Sequence, residues 1–288
     1  MAFEWRATIG IHGRRHGCCS TTASWKRDTT IVNGKLFKAL RLGILVYILL
    51  MVAGHSWLSS ARTTDWDVPL HVGVYPINAD GSARSDSYIA RLTGEEFRPV
   101  ADFLSRESAR HGIALESPLR VALGDVVVDR PPDVPRDGNV LEVMLWSLHM
   151  RYWSWREGQG ISPDPDIKVF VLYYDPDSHP VLPHSLGLEK GLVGVVHAFA
   201  ARQMAGENAF VLAHEVLHTL GAGDKYSPTD NLPIYPDGYA EPDVQPLYPQ
   251  RRAEVMGGRI PLAPNRAAAP NGLSQVVVGA MTAREIGW

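Results

Sequence analysis

Two hydrophobic periods alternate along the chain, one of two residues and one of three to four, and they predict strands and helices in turn. Pro69 to Ile77, PLHVGVYPI, alternates as a strand does, and Asn78-Ala79-Asp80-Gly81 reads as the turn that follows. A helix is predicted from about Gly94 to His111, opened by Thr93 with Glu96 three residues on and closed by Gly112. Leu119 to Val128 is a second strand, broken at Gly124-Asp125. Asn139 caps a helix to about Glu157, VLEVMLWSLHMRYWSWRE, apolar at nearly every core-spaced position, so Trp146, Tyr152, Trp153 and Trp155 are expected in the core. His149 on it reads as a packed or surface histidine. Ile167 to Tyr174 and Gly191 to Ala200 are further strands; His197 on the second has no assigned role.

Residues 227 to 272 hold nine of the 21 prolines and little periodicity, which predicts a long irregular segment. Leu273 to Trp288 then reads as a closing helix.

The amino end has another character. Leu42 to Gly54, LGILVYILLMVAG, is 13 residues without a charge, extendable through His55 to Leu58. Eight Lys or Arg and two acidic residues precede residue 42, a balance of +6, which leaves 20 basic and 29 acidic residues, −9, for the rest. The positive-inside rule then places residues 1–41 in the cytoplasm as a disordered basic tail and the body outside. Residues 42–58 are expected as a signal anchor, or as a signal-peptide core with cleavage near Ala61; a core helix is the third reading. The exported body, residues 62–288, is therefore membrane-anchored or secreted. The chain's two cysteines, Cys18 and Cys19, lie in the tail, so the body has no disulfide and no thiol ligand. With 45% hydrophobic and 20% charged residues, 288 residues suffice for a real core. An acidic body, no phosphate-cradling glycine loop and no nucleic-acid motif argue against a nucleic-acid partner.

The chemistry concentrates in Ala213 to Tyr226, AHEVLHTLGAGDKY, where His214, Glu215, His218, Gly221 and Asp224 spell HExxHxxGxxD. Residues four apart on a helix share a face, so the two imidazoles make half of a tetrahedral metal site. Glu215 lies about 100° round the helix, within reach of water at the metal, the position of a general base. Gly221 can take the positive φ that ends a helix, and three residues later Asp224 can return as a third ligand. An ordinary buried helix with satisfied histidines explains neither the polar residues in the apolar helix nor the Gly and Asp beyond it.

This motif resembles that of the metzincin zinc metallopeptidases, in the snapalysin-like variant with Asp as third ligand. The resemblance covers residues 165–288 at motif level. It implies an α/β (α+β) zincin with a mixed twisted sheet, an active-site helix and an irregular C-terminal subdomain carrying a methionine turn, for which Met256 in AEVMGG is the candidate. It also implies that Gly191 to Ala200 is the sheet-edge strand that holds an extended peptide. The expected activity is zinc-dependent endopeptidase, with polypeptide substrates and one catalytic Zn²⁺. Tyrosines 226, 235, 239 and 248 are all candidates to assist, with nothing to select among them.

Three alternatives stand beside it. Glu241 or Glu254 would be the third ligand in a gluzincin-like arrangement. A non-proteolytic exported zinc-binding domain would keep the metal without turnover. A non-peptide amide substrate would share all the metal chemistry. Asp164 with Asp166, and Asp175 with Asp177, are further candidates for Ca²⁺.

Overall fold

The computed structural model describes residues 37–48, 50–51, 65–135 and 138–288. These fall into two compact units, divided at Met51. In the first, the described residues of 37–51 form helix α1, whose apolar side chains, among them Leu42, Ile44, Leu45, Tyr47 and Leu50, are exposed. Among the described residues no helix is long and apolar enough to cross a membrane. Most of the expected tail, the end of the 42–58 segment and the cleavage position near Ala61 lie outside the described residues.

The second unit is mixed α/β. A five-stranded sheet has the order β2-β1-β3-β5-β4, from β1 (Leu70–Asn78), β2 (Leu119–Leu123), β3 (Ile167–Tyr174), β4 (Leu186–Leu188) and β5 (Val193–Phe199). All neighbours pair in parallel except β4, which runs antiparallel along β5. β3, buried at every residue, is the central strand, which explains its unbroken run IKVFVLYY.

Alternation sends side chains to two cores. Val72 and Val74 of β1 with Val169 and Val171 of β3 meet the helices α3 (Arg98–Arg110) and α5 (Ala205–Thr219) on one face. Tyr75 and Ile77 with Phe170 and Leu172 meet α4 (Val140–Glu157) on the other, where Trp153 lies 4.4 Å from Phe170, ring to ring. The short helix α2 (Ala83–Ile89) follows β1 after the predicted turn, with Gly81 at φ 67°. A 3₁₀ turn, Gly94–Phe97, leads into α3, and the Thr93/Glu96 capping box is formed. Asn139 and Glu142 cap α4 in the same reciprocal way.

Four expectations are corrected. β2 ends at Leu123 rather than Val128, since its pairing with β1 stops at Val74. β5 is not the edge strand: it pairs with β3 and with β4, and the edge is the three-residue β4. The closing helix is mostly unwound, giving a 3₁₀ turn at Leu273–Gln275, the short strand β9 (Val276–Val277) and a six-residue α6 (Ala280–Glu285). Finally, α4 buries only Met150, Trp153 and Ser154; Tyr152 and Trp155 are exposed, and Trp146 is half-buried with its indole N–H donated to Pro132 O at 3.1 Å. The helix lies on the sheet by one face, the loop at Pro132 meets its flank at Trp146, and Leu141, Leu148, Tyr152 and Trp155 are left exposed.

The segment 227–272 is irregular, as predicted. Its regular parts are β6 (Ala253–Glu254), parallel to β9, and the hairpin of β7 (Ile260–Ala263) with β8 (Arg266–Ala268).

Candidate metal centre

Helix α5 carries the motif, and both of its ends are fastened. At its start Asn208 Nδ2 donates to Phe199 O at 2.9 Å while Asn208 Oδ1 accepts from Phe199 N at 3.0 Å, so the end of β5 is tied to the helix. At its end the chain reverses at Gly221, φ 99°, a conformation that a side chain strains. Ala222 N then donates to Leu217 O at 3.0 Å, closing the helix terminus.

This reversal brings Asp224 to the two histidines. His214 Nε2 and His218 Nε2 are 3.1 Å apart, and Asp224 Oδ1 lies 3.3 Å from the first and 3.0 Å from the second. Among the described residues these three form the one group of His, Cys, Asp or Glu close enough to hold a metal ion. Four-coordinate ligands ~2.0–2.2 Å from a common ion are roughly 3.3–3.6 Å apart, so the three donors need to open by only a few tenths of an ångström.

The histidines are set for this by what their other nitrogens do. Nδ1 of His214 lies 2.9 Å from Val255 O, and Nδ1 of His218 lies 2.7 Å from Ala222 O. Each carbonyl accepts, so each Nδ1 carries the proton and each Nε2 lone pair faces the common point.

Asp224 is held from both sides. Gly223 N donates to Glu285 Oε2 at 3.1 Å and Lys225 N to Met256 O at 2.8 Å, while the buried Lys225 Nζ reaches Glu285 Oε2 at 2.7 Å. Burial works against the Asp224 carboxylate, but the imidazoles of His214 and His218 outweigh it and hold its pKa well below the usual range. The same pairing raises His214 above its ordinary value, although burial opposes the charged form.

Glu215 is buried on the motif helix. Burial pushes its carboxyl above the ordinary range despite His214 and His218 nearby, and Oε2 has no hydrogen-bond partner. An orphaned buried carboxylate oxygen beside three convergent donors fits a site completed by something that brings a proton.

Met256 is fully buried. Its turn is organised by Glu254, a fully buried carboxylate that accepts from Met256 N at 2.7 Å, Gly257 N at 2.8 Å, Gly279 N at 3.0 Å and Thr282 Oγ1 at 2.7 Å. Val255 and Met256 thus present the carbonyls that orient His214 and the Asp224 loop. The same bonds correct the alternative ligand set: Glu254 is spent on this turn, and Glu241 pairs with Arg252 at 2.9 Å. Neither belongs to the metal group.

The acidic loops offered for Ca²⁺ have other partners. Asp164 pairs with Lys168 at 2.9 Å, Asp166 accepts from His71 N at 3.0 Å, and Arg84 bridges Asp175 and Asp177.

Of the four tyrosines, Tyr226 stands beside the two histidines and Asp224. Its ring lies 6.3 Å from that of His214, and burial, then Asp224, push its phenol up to about 12. Tyr239 and Tyr248 bond each other at 2.7 Å, and Tyr235 is exposed.

A cavity of about 550 Å³ opens beside Glu215, lined by Leu182, His184, His197, Phe199, Val211 and Tyr226 among others. His197, half-buried, is kept neutral, its pKa lowered to about 4 by burial and by His184. Strand β4 leaves this cavity and passes directly over the motif helix. A Cβ on Gly187 would lie 2.4 Å from Glu215 O and 2.5 Å from His218 Cβ, so glycine is what allows the approach. Periodicity gave no sign of Gly187, Glu254, Lys225 or Glu285; the last two are partners 60 residues apart.

No family model matches this chain, and no curated protein matches it. Among solved structures, the crystal structure of wild-type OgpA from Akkermansia muciniphila is similar at 12% identity and a TM-score of 0.31, over 74% of this chain. The chain spans 58% of that structure's length. A likeness at this level carries no argument about activity.

Proposed function

We propose that the chain is a zinc-dependent endopeptidase. The observation that supports this best is the convergence of His214 Nε2, His218 Nε2 and Asp224 Oδ1 beside the unpartnered Oε2 of Glu215. Two neutral imidazoles and one carboxylate are a donor set that suits zinc and leaves a position open, as catalytic rather than structural sites do. His214, His218 and Asp224 would hold the ion, whose chemistry when bound is to acidify water and polarise a carbonyl.

The chain's own groups supply the rest. Glu215 takes the proton of the water that attacks the peptide carbonyl and delivers it to the leaving amine. Its burial raises its basicity, which favours the first of these transfers. Tyr226, kept protonated by its burial and by the nearby Asp224, stands beside that carboxylate. The outer edge of β4 offers main-chain groups for an extended peptide, and the adjoining cavity receives a side chain.

Casein cleavage by the purified chain, its abolition by a chelator and its return with added zinc are the expected results. A zinc-loaded chain that cleaves neither casein nor a diverse peptide library would overturn the peptidase reading.

A further inference from the structure

Helix α4 contradicts the ordinary pattern of a surface helix, which turns its apolar stripe inward and its charges out. Its buried residues, Met150, Trp153 and Ser154, lie within about 50° of one line along the helix. On the opposite side Leu141, Leu145, Leu148, Tyr152 and Trp155 follow one another at spacings of four, three, four and three, within about 40° of a second line. They are 63%, 58%, 60%, 57% and 64% exposed. Met144 and Val140 widen the stripe, at 58% and 78%. A continuous apolar patch of several hundred Å² marks an interaction surface.

Its borders and its composition name the partner. Arg151, whose Nε donates to Lys190 O at 3.0 Å, flanks the stripe on one side, and Arg156, paired with Asp129 and Glu157 at 2.5 Å each, flanks it on the other. Long basic side chains beside an apolar stripe reach up to phosphates while their stems lie on hydrocarbon. Tyr152 and Trp155 are the residue types of a membrane–water boundary. A seam between two copies of α4 would continue the leucines of 141, 145 and 148 through 152 and 155, where Tyr and Trp stand instead. The same chain carries the apolar run Leu42–Gly54 behind a basic stretch, helical in its described part with its apolar residues exposed. A bilayer is the one partner that serves both.

We propose that α4 lies in the surface of a phospholipid bilayer, its Leu141–Trp155 stripe at the boundary of headgroups and acyl chains. This rests on α4 and on the apolar run Leu42–Gly54, and is independent of the metal site.

The test places a fluorophore on Leu148→Cys in the full chain, with Cys18→Ser and Cys19→Ser making the label unique, reconstituted in phosphatidylcholine vesicles. Asp102→Cys on α3, across the sheet and 69% exposed in its side chain, serves as reference. Brominated acyl chains are expected to quench the label at 148 several-fold and to leave that at 102 unchanged. Adding Leu145→Glu with Trp155→Glu, both at exposed positions that folding does not need, is expected to move label 148 from bromine-accessible to iodide-accessible. Quenching of label 148 by aqueous iodide but not by bromine, in the otherwise unchanged chain, would overturn the proposal, because the stripe then faces water. Quenching by neither would overturn it too, since a second copy or another protein then covers the stripe.

Discussion

Helices α4 and α5 pack on opposite faces of the same sheet, at 18 and 15 residues, and violate the inside-out rule in opposite directions. α5 takes polar groups inside: His214 and Glu215 are buried in an apolar helix, and the buried Oε2 of Glu215 has no hydrogen-bond partner. α4 puts apolar groups outside, with Leu, Tyr and Trp in the open. Both arrangements oppose the stability of an isolated domain, and in both the offending residues fall within about 100° of arc round the helix. Departures confined to one face of a helix mark what the surface is for, whereas scattered ones mark nothing.

The contrast can be broken most sharply at Glu215. Glu215→Gln is expected to lower casein kcat/KM by about 10²–10⁴-fold, the usual share of a general base, with metal content unchanged. A variant that lost metal in proportion to activity would make Glu215 a positioning residue instead. On α4, Trp153→Ala should cost about 3–5 kcal/mol in urea unfolding, since Trp153 fills the core against Phe170. Equal costs for Trp153→Ala and Trp155→Ala would mean that the helix lies on the sheet by another face.

Smaller effects test the contact between edge strand and motif helix. Gly187→Ala adds a methyl where the backbone of Glu215 and the Cβ of His218 already stand, and is expected to cost about 1–3 kcal/mol by overpacking. It should also lower kcat/KM; a neutral effect on both would show that β4 is not seated against α5. The smallest expected change is in Leu148→Gln, within about 0.5 kcal/mol of the parent in solution, as for surface substitutions generally.

What was legible in the sequence follows from distance along the chain. His214, Glu215, His218, Gly221 and Asp224 fall within 11 residues, and one helix period plus one positive φ brings them together. The partners that hold them do not announce themselves. Glu254 accepts from residues 25 and 28 positions away, and Glu285 reaches the Asp224 loop across more than 60, spacings that no local periodicity encodes. Met256 came into view through family resemblance rather than through any pattern of its own. β4 was missed because three residues are too short to alternate visibly, and the edge reading of β5 came with the family resemblance. α4 was misread for the opposite reason: apolar residues all round leave no face to choose, and core burial was the cheaper reading of its tryptophans.

The central claim, that His214, His218 and Asp224 together hold a catalytic metal, is tested most directly by metal content. Mass spectrometry of the purified chain after dialysis is expected to find one zinc per chain, and Asp224→Ala to lose most of it while near-ultraviolet circular dichroism stays that of a folded protein. A folded parent chain without bound metal, or an Asp224→Ala chain that keeps a full complement, would contradict the account.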